Sequence, residues 1–367
     1  MATQHIETLI IGAGQAGLST GYHLQRQGRP FLIIDGGDRV GDNWRHQWDS
    51  LRLYTPAKYD GLPGLPFPAD DPWHFPGKDE VGDYLEAYAL RWDLPVRMST
   101  RVDRLASDGD GGYVASLGAD TITCDNVVIA TGTFGRTPLV PDFAKDLDER
   151  IVQLHSSEYR RPEQLPAGPV LVVGGSHSGM DVAYEAGETH ETILCGRECG
   201  QIPVPFSSRR GRLFLPVMFF MFKHVLTRRT PMGRKAMPHV RFHGGPSLRV
   251  KKADLEARGV ERVTDRVVGV EGGRPLLAGG RVVDPAAVVW CTGFTQVFDW
   301  IDLPILGEDG WPVEFRGVSD ASPGLFFCGL SFQYAFASMV LPGVGRDAAY
   351  VATQIGRRVR RTTPVAA

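Results

Sequence analysis

Two glycine-rich runs in this sequence have the residue types and the surroundings to hold a dinucleotide. The first, Gly12-Ala13-Gly14-Gln15-Ala16-Gly17, follows the apolar stretch Ile6 to Ile11 and opens a helical pattern from Leu18 to Gln27. A second apolar stretch, Pro30 to Ile34, ends in Asp35. Strand, glycine turn, helix, strand and acid, in that order, make a nucleotide-binding fingerprint. The glycines let the backbone turn tightly and approach a pyrophosphate at the positive end of a helix, and the acid accepts hydrogen bonds from ribose hydroxyls.

The second run, Gly174-Gly175-Ser176-His177-Ser178-Gly179, follows Val170 to Val173 and precedes a helix through Gly187 and a strand from Glu191 to Cys195. Gly174 stands 23 residues before Arg197, as Gly12 stands 23 before Asp35. Each copy is closed by an apolar strand and a Thr-Gly pair, Thr131-Gly132 and Thr292-Gly293, at 120 and 119 residues from the first glycine. Matched spacing of this kind predicts two folds of one design. Ser176 replaces the second glycine of the fingerprint, so the second copy is the weaker of the two. Its terminal Arg197 suits a 2′-phosphate where an acid repels one, which favours NADPH over NADH. A solvated surface charge is the plain alternative for Arg197.

These motifs need elements to position them. The expected fold class is α/β, with two Rossmann-like dinucleotide-binding domains, the second inserted into the first. Residues 1–160 and 286–367 form the first domain and 161–285 the second, with a basic, apolar insertion at about 200–250. Residues 41–76, rich in Pro, Trp, Tyr and Asp, read as loops rather than a further domain. The insertion combines the apolar run Leu213 to Phe222 with Arg209, Arg210, Arg212, Lys223, Arg228, Arg229, Arg234 and Lys235. A substrate lid, a membrane-surface patch and an ordinary half-buried helix all fit it. The stretch from Phe326 to Ile355 reads as strand, glycine-rich turn and helix, closing the first domain.

With 367 residues, 43% of them hydrophobic, the chain has enough apolar mass for two cores. A formal charge of −2 gives no overall electrostatic footprint for nucleic acid. Pro216 and Lys223 limit the longest apolar run, so no transmembrane segment is expected, although peripheral membrane contact stays open. Five cysteines, and a start without a basic-then-apolar signal, point to a reducing, cytoplasmic setting. No metal site is expected.

Further motifs resemble the flavin-dependent monooxygenase group that includes flavin-containing monooxygenases, plant indole-pyruvate monooxygenases and their short bacterial relatives. They are Gly41-Asp42-Asn43-Trp44-Arg45, Leu51-Arg52-Leu53-Tyr54-Thr55-Pro56, His155-Ser156-Ser157-Glu158-Tyr159 and both glycine runs with their Thr-Gly pairs. The resemblance implies FAD in the first fold, held by Gly12, Gly14, Gln15, Ala16, Gly17, Asp35, Asn43, Trp44, Arg45, Val102, Thr131, Gly132 and Gly329. It implies NADPH in the second, held by Gly174, Ser176, His177, Ser178, Gly179, Arg197, Thr292 and Gly293. Trp44, Tyr54 and Thr55 become flavin-face candidates, and His155 and Tyr159 a linker motif supporting domain and cofactor position. The aromatic and glycine that usually begin this linker are Glu149 and Ile151 here, and Leu330, rather than an acid, follows Gly329. Gly343 to Asp347 resembles the turn beside the flavin.

The activity so implied is transfer of one oxygen atom, from a hydroperoxide of the reduced flavin, to a small organic substrate. Oxygenation at nitrogen or sulfur, oxidation of a carbonyl, or oxidation of an α-keto acid are all compatible with the motifs. The expected partners are that substrate and molecular oxygen; the oligomeric state is not legible. Three rivals use the same two folds: a flavin reductase or oxidase without oxygen transfer, a redox-sensing flavoprotein without turnover, and a disulfide reductase. The last needs paired thiols beside the flavin, and the only close pair is Cys195 and Cys199 at the end of the second fold. Phe332, Tyr334 and Phe336 fit either a substrate pocket or a core.

Overall fold

Short apolar runs bounded by glycine and polar turns become buried strands, and the two copies build two sheets. The computed structural model describes residues 3–132, 137–202 and 204–362, with side chains to 358. The first sheet contains β1 (Thr3–Ile11), β2 (Phe31–Ile34), β3 (Val96–Arg97), β4 (Arg104–Ser107), β5 (Tyr113–Leu117) and β6 (Asp120–Ile129), joined late in the chain by β16 (Ile301–Asp302) and β17 (Leu325–Phe327). Its order is β16-β4-β5-β6-β1-β2-β3. The long strand β6 takes β5 antiparallel along its first half and β17 parallel along its second. Both β2 and β6 run parallel to β1, so the C-terminal ends of four strands open on one edge. In parallel sheets, ligands bind beyond those ends.

Helix α1 (Gln15–Arg26) covers one face of this sheet, burying Ala16, Leu18 and Leu24, and lies against the C-terminal helix α8 (Leu341–Thr362). Residues 41–76 carry only the four-residue helix α2 (Asp42–Arg45) and a short turn at Ala57–Tyr59 before α3 (Lys78–Arg91), as their composition predicts.

The second sheet holds β8 (Val152–His155), β9 (Val170–Val173), β10 (Thr192–Cys195), β11 (Glu261–Val263) and β14 (Ala287–Trp290), all parallel, in the order β11-β10-β9-β14-β8. Helix α4 (His177–Ala186) packs on it. Two antiparallel pairs, β7 (Thr137–Pro138) with β15 (Phe294–Thr295) and β12 (Val267–Glu271) with β13 (Arg274–Leu277), flank the two crossings of the chain and the end of this unit. The expected limits 161–285 thus leave out two of the five strands of this sheet. Strand β14 repeats in the second copy the place of β6 in the first, and β8 adds beside it, Trp290 opposite His155.

Two further differences concern later segments. The basic stretch folds as α5 (Arg209–Phe220), a π turn at Met221–Val225 and α6 (Pro231–Phe242), followed by α7 (Lys252–Ala257). Gly343 to Asp347, expected in a turn, lie inside the first turns of α8. Space decides this: a side chain on Gly343 would meet the carbonyl of Ala337 at 1.9 Å, and one on Gly345 would meet Pro63 at 2.5 Å. Those glycines let the helix start against its own lead-in and against the 57–66 loop.

Candidate functional site

The first glycine loop is built by close approach of three strand ends. Gly12 donates from its N–H to Ile34 O at 2.7 Å, and Ala130 donates to Ile11 O at 2.8 Å. At φ = +114° Gly12 sits so near β6 that a Cβ would stand 2.4 Å from Ala130 O, and a Cβ on Gly17 would stand 1.8 Å from Gly12 O. Gly14 differs, because a Cβ there meets nothing within 4 Å. Its lack of a side chain answers no protein neighbour, which fits a pyrophosphate approaching the free N–H groups at the start of α1. Asp35 accepts from Ala13 N at 2.7 Å and Gly37 N at 2.8 Å, which aims the carboxylate at the loop and leaves lone pairs for ribose hydroxyls. Thr100 N bonds Asp35 O at 2.7 Å and brings Val102 to this corner. Gly329, at φ = +90°, lies so close that a Cβ would reach Ala16 Cβ at 2.8 Å, and Gln15 Nε2 donates to Met339 O at 3.1 Å. Thus Gly12 to Gly17, Asp35, the Ala130-Thr131 pair that follows β6 and Gly329 lie in close contact at one end of the sheet.

The second loop repeats this construction bond for bond. Gly174 N donates to Cys195 O at 2.8 Å and Cys291 N to Val173 O at 2.8 Å. A Cβ on Gly174 would stand 2.3 Å from Cys291 O, and one on Gly179 would stand 1.6 Å from Gly174 O. The surroundings differ from those of the first loop. Residues 244–246 pass over the start of α4: Ser176 Oγ donates to Gly245 O at 2.9 Å, and His177 Nε2 lies 2.6 Å from Pro246 O. These bonds engage the side chains of Ser176 and His177 and not the backbone N–H groups at the start of α4. Arg197 is exposed just after β10, a placement that suits a nucleotide phosphate and a solvated surface charge alike. A second cation was missed by motif reading, because it comes from a later strand: Arg262 donates to Leu194 O at 2.9 Å and to Gly196 O at 2.5 Å, and it lines a small cavity with Gly175, Glu198 and Lys252. Thr292 Oγ1 donates to Leu139 O, and Gly293 O accepts from Leu139 N at 3.0 Å, so this Thr-Gly pair is tied to the chain crossing between units.

The 43–60 segment joins the two folds. Trp44 packs against both the first core and the second, and Trp48 and Leu51 are buried in the second. Tyr54 Oη donates to Asp181 Oδ2 on α4 at 2.9 Å, and its ring lies 4.9 Å from that of His177. Arg249 reaches Asp181 Oδ2 at 3.2 Å and Ser50 O at 3.0 Å. Burial pushes the Asp181 carboxyl up, with Arg249 and Tyr54 opposing, and it pushes the Tyr54 phenol far above its ordinary range. Thr55 Oγ1 donates to Asp60, whose buried carboxyl is pushed up to about 8 by desolvation. Of the three flavin-face candidates, Trp44 is therefore an inter-unit wedge, Tyr54 a bridge to α4, and Thr55 a partner of Asp60.

The Arg45 guanidinium is engaged by Val40 O, Asp42, Asp83 and Glu86, so it fastens α2 to α3. Asn43, in the same short helix, accepts from Gln47 Nε2 through its carbonyl at 3.0 Å. His155 ends β8 with Nε2 at 3.0 Å from Gly293 O and Nδ1 at 2.8 Å from Ser157 Oγ, and burial pushes its pKa down, favouring the neutral ring. Tyr159 is fully buried in the second core and donates to Glu185 at 3.2 Å. This half-motif pins the linker to β14 and α4.

Residues beyond the motifs also gather at the C-terminal edge of the first sheet. Phe332 is fully buried at φ = +53°, a strained conformation for a bulky residue. Its two chain neighbours carry buried polar atoms without a protein partner, Ser331 Oγ and Gln333 Nε2, as does Asp347 Oδ2 on α8. Tyr334 lies between Arg316 and Arg346, 4.2 and 4.8 Å away, and Phe336 stacks on Phe222 at 4.2 Å. The three aromatics were legible in the sequence; their arginine neighbours and the unpartnered polar atoms join them only in three dimensions. All five thiols are free; burial pushes those of Cys124, Cys195 and Cys328 up to about 12 and that of Cys291 still higher. Thiol exchange requires a thiolate and a partner thiol. Among the described residues no group of ligands could hold a metal ion, and no helix is long and apolar enough to cross a membrane.

Comparison with known proteins agrees with this geometry. Residues 9–198 match the family model described as pyridine nucleotide-disulphide oxidoreductase. A protein of Geobacillus kaustophilus named uncharacterized oxidoreductase CzcO-like is 34% identical over 96% of this chain and 99% of its own length. The probable indole-3-pyruvate monooxygenase YUCCA9 of Arabidopsis thaliana is 32% identical over 97% of this chain and 90% of its own. The flavin-containing monooxygenase from Stenotrophomonas maltophilia superposes with a TM-score of 0.77 at 26% identity, covering 97% of this chain and 99% of that one. With two nucleotide folds of this construction and full-length relatives of this kind, the chain is an enzyme that belongs to the pyridine nucleotide-disulphide oxidoreductase family, among relatives of the flavin monooxygenase type.

Proposed function

We propose that this protein is a monooxygenase that uses FAD in the first fold and NADPH in the second to transfer one oxygen atom to a small organic substrate. The observation that carries this reading is the pair of glycine loops closed by matching backbone bonds, with Tyr54 tying the 43–60 segment to Asp181 on α4. Bound FAD supplies hydride acceptance and oxygen activation; the chain supplies position and dryness. Backbone N–H groups at the starts of α1 and α4 hold the two pyrophosphates, and Asp35 orients the ribose of FAD. Arg197 selects the 2′-phosphate of NADPH. Buried Phe332, Ala335 and Ala337 close the C-terminal edge against water. Burial pushes His155, in the linker, towards its neutral ring and Asp60, beside Thr55, towards its neutral acid. Cys124, Cys195, Cys291 and Cys328 are buried, Cys195 of the one close pair among them, which speaks against the disulfide chemistry in the family's name.

The test combines anaerobic mixing with NADPH and aerobic turnover. Bleaching of the flavin by NADPH, followed by oxygen uptake matched by oxygenated product from a panel of amines, sulfides, ketones and α-keto acids, is the expected result. Uptake returned wholly as peroxide across the panel would reassign the protein as an oxidase, and absence of bleaching would remove NADPH as donor. Arg197→Ala should raise KM for NADPH about tenfold or more and leave that for NADH nearly unchanged; equal changes would withdraw the argument for NADPH.

A further inference from the structure

Residues 201–250 contain ten lysines and arginines and no aspartate or glutamate, in a chain whose formal charge is −2. Helix α5 within this stretch buries one face and leaves the other uncovered. Gly211, Leu215, Met218 and Phe219 face inward, where Leu215, Met218 and Phe219 form a small core with Tyr59, Trp73 and Phe75 of the 57–75 loop. The opposite face exposes Leu213 (79%), Val217 (57%) and Phe220 (60%), with Phe214 and Met221 beside them. Positions 213, 217 and 220 recur at helical spacing, so they form one stripe along the helix. Scattered exposed apolar residues are ordinary, whereas a contiguous stripe marks a surface that meets something.

The charge around the stripe identifies the partner. Arg209, Arg210 and Arg212 stand in the first turn of α5, which holds no acid. Cations there oppose the helix dipole, an arrangement that an anion at the same end would relieve. Arg229, Arg234 and Lys235 follow at the start of the neighbouring helix α6, where Met232 is also exposed. An exposed apolar stripe flanked by cations, with no acid in fifty residues, matches an anionic lipid surface: the apolar face enters the acyl boundary and the arginines meet headgroup phosphates. A second copy of this chain would bring the same positive charges against themselves.

The segment is also held firmly enough to act as a platform. Arg228 and Arg241 converge on Glu314, whose side chain is completely buried, and Arg241 donates to Ser331 O at 3.2 Å. We infer that α5 and the start of α6 form a peripheral docking surface for anionic membranes, through Leu213, Val217 and Phe220 with Arg209, Arg210 and Arg212. This surface lies on the outer side of a helix whose inner side packs on the 57–75 loop, so docking sets the loop that continues from Thr55 and Asp60 next to the bilayer.

Sedimentation of the purified full chain with vesicles tests this independently of any turnover. Vesicles of phosphatidylcholine mixed with phosphatidylglycerol should pull the protein down, pure phosphatidylcholine vesicles should not, and added salt should weaken the binding. The triple variant L213S/V217S/F220S and the triple variant R209Q/R210Q/R212Q should each lose at least tenfold in partition coefficient while keeping the flavin content and unfolding midpoint of the parent. Equal binding to both vesicle types, or none to either, would overturn the inference. So would light scattering that finds a dimer broken by the same serine substitutions, since the stripe would then belong to a second copy.

Discussion

At the residue scale, two glycines of one fingerprint do different work, although the motif writes them alike. Gly12 is demanded by the fold, with a positive φ and a carbonyl 2.4 Å from where its Cβ would be, whereas Gly14 faces open space. Gly12→Ala should therefore destabilise the protein without any cofactor, by about 2 kcal/mol or more. Gly14→Ala should leave the unfolding midpoint of the cofactor-free protein unchanged and weaken FAD binding about tenfold or more, a loss of about 1.4 kcal/mol. Calorimetry of the cofactor-free variants beside FAD titration separates the two. If Gly14→Ala lowers the midpoint and spares FAD affinity, the pyrophosphate does not approach there. Arg45 teaches the reverse lesson: a charged residue in a cofactor motif can be spent on neighbouring carboxylates.

At the element scale, the turn from Leu53 to Asp60 is short, buried and polar at its two ends. Thr55 donates to one oxygen of Asp60, and the other is buried without a protein partner. Desolvation raises this carboxyl to about 8, the reverse of the usual effect of folding on an aspartate. The folded protein therefore keeps a proton that the unfolded chain has lost between about pH 4 and about pH 8. Stability contributed by this site is complete below pH 4 and falls as pH rises through that window, by up to about 5 kcal/mol. Asp60→Asn keeps an acceptor for Thr55 without the charge, so its denaturation midpoint should change less than that of the parent between pH 5 and pH 8.5. Parallel curves for both proteins would show that Asp60 ionises normally.

At the scale of the whole molecule, the Tyr54–Asp181–Arg249 cluster is one of the ties between the two nucleotide folds. Tyr54 and Arg249 both hold Asp181, and Arg249 also bonds Ser50 O. Removing a cation from a buried carboxylate costs about 3–5 kcal/mol, against about 1.5–3 kcal/mol for losing one hydrogen bond to it. Arg249→Ala should accordingly lower the urea midpoint more than Tyr54→Phe. Both should slow flavin bleaching by NADPH, since each loosens the start of α4 from the 50–54 strand of chain. A Tyr54→Phe variant that matches the parent in reduction rate would place the coupling elsewhere.

What the sequence determined by itself was local. Strand, glycine turn, helix and terminal charge follow one another within about 25 residues, so both nucleotide folds, the Asp35 and Arg197 ends and the Thr-Gly strands could be read from order and spacing. The structure brings the Gly12–Gly17 loop, Asp35 and Gly329 into contact and repeats the two backbone bonds of the first loop in the second. Tertiary structure alone decided matters that join distant segments. Strand β8 pairs with β14 across about 135 residues of chain, so strands on either side of residues 161–285 share the second sheet. Tyr54 finds Asp181, Arg262 reaches the end of β10, and residues 244–246 lie over Ser176 and His177. Periodicity and motif spacing report what a residue does with its near neighbours. Which distant backbone closes over a loop is settled by packing, and the sequence carries no local signal for it.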